Sequence, residues 1–188
     1  MTDARGNSRG AAALIVIDML NPYEHDDAEP LAASVETVVA PLHGLIEQAR
    51  ASDVEVIWVN DQYDDFAATR ADLVRRALDG RRPDLVEPLL PPKDCAFLQK
   101  ARHSAFYGTS LEYLLRRHEI DRLILTGQVT EQCVLYSALD AYVRHYEICV
   151  VRDAVAHIDP QLGAAALTMM ERNMRADVVD AAAALEPS

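Results

Sequence analysis

Leu123-Ile124-Leu125-Thr126-Gly127-Gln128-Val129-Thr130-Glu131-Gln132-Cys133 runs from an unbroken apolar segment, through a glycine, to a cysteine. Continuous rather than alternating apolarity predicts a strand buried on both faces, as in a parallel sheet. The residues from Val134 onward carry a helical pattern, so the stretch reads as strand, turn and helix start. Thr130 is placed to cap that helix and Cys133 falls in its first turn. Unpaired backbone N–H groups and the positive end of the helix dipole converge there, so the thiol is expected to ionise more easily than a free one.

Working outward, the same strand-then-helix alternation fills the chain. Apolar runs at 11–18, 54–60, 95–100, 122–126 and 146–151 predict five strands, and 176–179 a short sixth. Helices are expected over 31–51 (with Pro41 as a kink or break), 72–78, from Thr109 or Ser110 to His118, 130–145 and 159–175. Strands alternating with helices specify an α/β sandwich on a parallel sheet. Residues 1–188 are expected to form one domain, with 1–10 a flexible tail and 62–93 a candidate insertion or lid.

Composition narrows the function. The chain has 188 residues, half of them hydrophobic, and a net charge of −12. That charge argues against nucleic acid and anionic membranes as partners. No run of 18 apolar residues suggests a membrane span, and the polar start of the chain does not read as a signal peptide. Cys95, Cys133 and Cys149 are odd in number and lack C-x-x-C pairing, which indicates a reduced, cytoplasmic protein without disulfides or a zinc knuckle. Of 18 basic residues only Lys93 and Lys100 are lysines, so a lysine at a strand end stands out as a compact, titratable ammonium.

Ligands of open parallel sheets bind at the carboxyl ends of the strands. The polar residues there are Asp18, Asn60, Asp61, Lys100, Cys133 and Asp153. An acid, an ammonium and a thiol on one edge suit nucleophilic catalysis. Cys95 and Cys149 lie within strands and read as core; Asp61 and Asp153 read as caps or turns. The six histidines form no H-x-x-x-H or H-E-x-x-H, and the one divalent-ion candidate is His25 in its acidic loop. No G-x-G-x-x-G, P-loop or G-x-S-x-G is present, so no nucleotide cofactor is indicated.

Four pieces carry a family resemblance: Leu14-Ile15-Val16-Ile17-Asp18; Lys100-x-x-x-Ser104-Ala105-Phe106; Thr126-Gly127 through Thr130-x-x-Cys133-Val134; and Ala138-x-Asp140-Ala141 with Val150-Val151-x-Asp153-Ala154. Over roughly residues 11–160 the chain resembles the isochorismatase-like cysteine hydrolases, which include nicotinamidases and N-carbamoylsarcosine amidohydrolase. The resemblance implies a three-layer α/β/α sandwich with a six-stranded parallel sheet, Rossmann-like in class. It implies an Asp18–Lys100–Cys133 triad, a cis peptide before Val129, and an oxyanion hole from the N–H groups of Val129 and Cys133. It also implies a small amide, carbamoyl or ureido substrate and a homo-oligomer, dimer or tetramer. Tyr23, Asn60, Phe106, Gln128 and Tyr136 are the expected substrate-binding residues, with Tyr63 and Phe66 as further candidates for the wall. Two departures stand out: Gln128 follows the glycine where relatives often have Val, and the Asp-x-His metal motif of nicotinamidases after strand two is replaced by Asn60-Asp61-Gln62-Tyr63. No metal or cofactor is therefore expected. Vinyl-ether hydrolysis on the same fold, or a catalytically degenerate small-ligand-binding protein, remain the alternatives.

Overall fold

The computed structural model describes residues 11–52 and 54–186; the expected tail at 1–10 lies outside them. Six strands form one parallel sheet: β1 (Ala11–Ile17), β2 (Glu55–Asp61), β3 (Ala96–Lys100), β4 (Ile120–Gln128), β5 (Glu147–Ala156) and β6 (Asp177–Val179). Their order is β3-β2-β1-β4-β5-β6. The order reverses between β1 and β4, so the crevice at a switch point opens beyond Ile17 and Gly127, which are register partners.

Two cores account for the apolar runs. Leu14 and Val16 of β1 face a cluster containing Leu31, Val35, Val38 and Leu42 of α1 (Ala28–Ala51), together with α2 (Arg70–Leu78) and α3 (Pro83–Val86). Ala13, Ile15 and Ile17 face the opposite cluster, built with α4 (Leu111–Arg117), α5 (Leu135–Val143) and α6 (Pro160–Met174). A strand whose alternate residues enter two cores must be apolar throughout, hence the unbroken runs. Three layers result, as expected.

Several boundaries differ from the sequence reading. Pro41 neither breaks nor ends α1, which continues through it for 24 residues. β5 runs on past Val151 to Ala156, so Asp153 lies inside the strand rather than at its end. There the Asp153 carboxylate accepts the Ala181 N–H at 2.8 Å and ties down the C-terminal segment. The expected helix over 130–145 starts with a π-helical turn, Thr130–Val134, before α5 proper. Val129, not Thr130, occupies the cap position, and the buried Thr130 hydroxyl has no partner among the described residues.

Region 62–93 is not a detached flap. It supplies α2 and α3, and the turn after α2 clasps the loop that follows β1. Arg81 N–H donates to the Pro22 carbonyl at 2.9 Å, and a Cβ on Gly80 would lie 2.3 Å from that same oxygen. Only glycine permits that approach. The N-terminus of α2 is fixed by a capping box between Thr69 and Asp72.

Candidate active site

β1 is followed by Asp18, whose φ of 55° turns the chain off the sheet while its N–H still donates to the Val59 carbonyl at 2.9 Å. Aspartate tolerates the left-handed region better than most residues. Gly127 lets β4 press against this turn: its φ is +104°, and a Cβ there would lie 2.0 Å from the Ile17 carbonyl oxygen. The next peptide bond, Gln128–Val129, is cis. Gln128 Nε2 donates to the Asp18 carbonyl at 2.6 Å, and its Oε1 accepts from the Tyr23 hydroxyl at 3.5 Å. Gln128 therefore braces the turn that carries Asp18.

Lys100 ends β3 in register with Asp61 of β2. Its Nζ lies 2.8 Å from Asp18 Oδ2, 3.3 Å from Asp61 Oδ2 and 3.6 Å from Cys133 Sγ. The second Asp18 oxygen, Oδ1, accepts the Asp61 backbone N–H at 2.7 Å, and the Cys133 thiol lies close enough to the same carboxylate for the two to interact electrostatically. Lys100 is wholly buried, and Asp18 and Cys133 are only 7% and 8% exposed. Four groups from four strand ends thus form one closed cluster.

Burial sets their proton affinities. It raises Asp18 above its ordinary value, although Lys100 pulls the other way. It raises the Cys133 thiol too, and the Asp18 charge adds to that rise; Lys100 and the Val129 N–H only partly offset it. For Lys100, burial favours the neutral amine, but Asp18, Cys133 and Asp61 together hold it protonated and above its ordinary value. The expectation of an easily ionised thiol is thus corrected. The helix-start field acts on a sulfur that is desolvated and faces a carboxylate, and the latter effects win.

The cluster floors a cavity of about 340 Å³, whose walls include Tyr63, Arg102, His103, Gln128, Val129 and Ile158. Asp18, Tyr23, Tyr63 and Asp64, all in or beside this wall, have φ between 53° and 60°. Non-glycine residues in that region cost of order 1–3 kcal/mol and concentrate where function holds the backbone in place. Among the described residues, no three His, Cys, Asp or Glu side chains converge as metal ligands. Asp61 faces an ammonium instead, and the position two residues on is Tyr63. This donor set does not fit the metal of nicotinamidases.

A model of the isochorismatase domain matches residues 12–183. The chain belongs to the isochorismatase family. It is 34% identical over 171 residues to the isochorismatase family protein YaaI of Bacillus subtilis, covering 91% of this chain and 94% of that one. The maleamate amidohydrolase of Pseudomonas putida is 30% identical over 158 residues, 79% of this chain and 74% of its own. Among solved structures, the N-carbamoylsarcosine amidase of Thermoplasma acidophilum superposes with a TM-score of 0.70 at 31% identity, covering 91% of this chain and 96% of that one. The protein is thus an isochorismatase-family amidohydrolase, an enzyme class acting on non-peptide C–N bonds. No helix among the described residues is long and apolar enough to cross a membrane.

Within this family frame the structure brings Asp18, Lys100, Cys133, Val129 and Gln128 to one cavity, and moves other expected residues away from it. Tyr23 is buried behind Gln128, outside the cavity wall, its hydroxyl pushed up to about 12 by burial. Asn60 spends its side chain on the backbone: Oδ1 accepts the Leu20 N–H at 2.9 Å, while Nδ2 donates to the Leu20 and Asp61 carbonyls. It pins the Asp18 loop and has no amide left for a substrate. Phe106 is core, its ring lying 4.9 Å from the Arg144 guanidinium. Tyr136 is exposed and packs on His103 at 5.4 Å between ring centroids. Phe66 is exposed and outside the wall; Tyr63 is in it.

Two residues do more than their sequence context indicates. Asp61 does make the turn contact expected of it, accepting the Tyr63 N–H at 2.7 Å through Oδ1, but its Oδ2 also reaches Lys100. His103 lies with Nδ1 3.7 Å from Cys133 Sγ. The available signal was its place in the Lys100-x-x-x-Ser104 segment; no local pattern of histidines marks it.

Proposed function

We propose that the protein is a cysteine hydrolase that cleaves the C–N bond of a small amide, carbamoyl or ureido compound through a thioester on Cys133. The observation that carries this reading is the Lys100 ammonium, which lies 2.8 Å from Asp18 and 3.6 Å from Cys133 Sγ at the floor of the cavity. With Asp18 and Lys100 as an ion pair and Cys133 as a thiol, the three groups together are neutral. Moving the thiol proton to Asp18 leaves them neutral, with thiolate beside ammonium. A carboxyl whose proton affinity is raised by burial is suited to take that proton, because a general base works best when its pKa approaches the operating pH.

Cys133 Sγ attacks the substrate carbonyl as Asp18 takes its proton. The oxyanion is held by the N–H groups of Val129 and Cys133, donors of a kind typically worth about 3 kcal/mol each. Asp18 returns the proton to the departing nitrogen, the C–N bond breaks, and the acyl group remains on sulfur. Water then cleaves the thioester. The names of the relatives, a maleamate amidohydrolase and an N-carbamoylsarcosine amidase, support the substrate class. The domain acts as one unit on a soluble small molecule in the cytoplasm.

Ammonia release from a panel of small amides, ureido acids and N-carbamoyl amino acids tests it. Turnover of at least one member by the wild type and none by Cys133→Ala is the expected result. Full turnover by Cys133→Ala refutes the thioester route.

A further inference from the structure

We infer that Asp61 is a positioning residue for the reaction: it is the permanent counter-charge that holds the Lys100 ammonium in place while Asp18 and Cys133 exchange a proton. The inference rests on the thioester reading above. An ammonium has three N–H donors and no acceptor. Lys100 Nζ has three partners for them: Asp18 Oδ2 at 2.8 Å, Asp61 Oδ2 at 3.3 Å and Cys133 Sγ at 3.6 Å. Two of those partners change charge during the reaction, and Asp61 does not.

When Asp18 takes the thiol proton and the sulfur bonds to the substrate carbon, Asp18 is a neutral carboxyl and the sulfur carries no charge. The same state returns when Asp18 takes a proton from the water that cleaves the thioester; the C–S bond then breaks and Asp18 returns that proton to the sulfur. In both states the negative charge has moved to the substrate oxygen, against the Val129 and Cys133 N–H groups. Among the described residues, Asp61 is then the one carboxylate left in contact with Lys100. Lys100 is wholly buried, and a buried ammonium with no opposite charge loses its proton or moves. Asp61 prevents both, so the proton traffic stays on Asp18.

The fold fixes Asp61 for this task. It is the last residue of β2, paired with Lys100 in parallel register. Its Oδ1 accepts the Tyr63 N–H at 2.7 Å, its own N–H donates to Asp18 Oδ1 at 2.7 Å, and its carbonyl accepts from Asn60 Nδ2 at 3.0 Å. Backbone and one carboxylate oxygen are thus pinned, and Oδ2 is left for Lys100. The Asp61 side chain is 27% exposed against 10% for Asp18. Water in the cavity reaches it and stabilises its charge, whereas burial favours the neutral form of Asp18. With Asp61 counted, the resting cluster carries one net negative charge, which strengthens Asp18 as a base.

Asp61→Asn removes the charge and keeps an oxygen for the Tyr63 N–H; Asp61→Glu keeps the charge. The other titratable or charged groups on the cavity wall, His25, Asp27, Tyr63, Asp64, Arg102 and His103, are unchanged in both. Turnover of p-nitrophenyl acetate, an uncharged acyl donor, is followed across the acid limb of its pH profile. In Asp61→Asn, kcat is expected to fall about 10-fold with KM within about 3-fold of wild type, and the acid limb to move down by about one pH unit, because Asp18 becomes the weaker base. In Asp61→Glu the limb is expected to stay in place. A second measurement needs no turnover: iodoacetamide labelling of Cys133 at neutral pH should rise about 5-fold in Asp61→Asn and not in Asp61→Glu, since Lys100 then answers to one anion fewer. Wild-type labelling rates at the buried Cys149 show that each variant is folded. An acid limb that stays in place in Asp61→Asn, a loss carried by KM, or Cys133 labelling at the wild-type rate overturns the assignment. If intact mass finds no acetyl-Cys133 in the wild type during turnover, the thioester reading falls instead, and the labelling rates still report on the contact between Asp61 and Lys100.

Discussion

Replacing Asp18 with Asn separates the reactivity of the thiol from the activity of the enzyme. The Asp18 charge is one of the two main forces holding the Cys133 proton in place; the other is burial, which the variant leaves unchanged. Lys100 remains at 3.6 Å from the sulfur and loses its nearest counter-charge. A unit charge about 4 Å away at an effective dielectric near 20 interacts by about 4 kcal/mol, an upper figure for what the substitution releases. Discounted for relaxation of Lys100 and retained partnership with Asp61, a tenfold to several-hundredfold rise in thiolate at neutral pH is the order of magnitude expected. Asp18→Asn should therefore alkylate faster with iodoacetamide at Cys133, while Cys95 and Cys149 in the same sample keep their wild-type rates. Turnover should fall by at least about 100-fold, because no base remains to carry the proton to the leaving nitrogen. Peptide mapping of a labelling time course at pH 7.5 measures the first, and ammonia release the second. Cys133 labelling that is unchanged or slower in Asp18→Asn refutes the electrostatic account of the cluster.

Two further outcomes follow from the packing. Gly127→Ala should lower stability in urea by about 3 kcal/mol or more, since its Cβ would lie 2.0 Å from the Ile17 carbonyl and its φ is +104°; a loss under 1 kcal/mol contradicts the close approach of β1 and β4. Cys149, inside β5, has its thiol raised from 9.0 to about 11 by burial. A raised folded value favours the protonated native state, so that contribution is complete below about pH 9 and is lost as pH rises toward about 11. It amounts to about 3 kcal/mol. Cys149→Ala, although less stable at neutral pH, should flatten the decline in Tm across that window, and an unchanged alkaline slope speaks against it.

The sequence by itself determined the layers, the parallel sheet and the identity of the strand ends. Continuous apolar runs such as Leu14–Ile17 and Leu123–Leu125 state locally that both faces of a strand are buried. Motif spacing then marked Asp18, Lys100 and Cys133, each at a strand end that the topology was bound to bring to one edge. It did not reveal that β5 continues through Arg152 and Asp153, because pairing with β4 resumes only beyond them, at Val155 and Ala156, across a shift in register, while the Ala181 contact holds Asp153 in place. Nor could it assign Asn60, Tyr23 and Phe106 to bracing and core, since which way a polar or aromatic side chain is spent depends on partners far along the chain: Leu20, Gln128 and Arg144. The tertiary structure alone decided the chemistry of the thiol. A helix start argues for an acidic cysteine, but charge interactions and desolvation depend on distance in space, and the fold puts Cys133 against Asp18 and out of water. For the same reason His103, separated from Cys133 by 30 residues of chain, becomes its neighbour only once α5 has docked on the loop after β3.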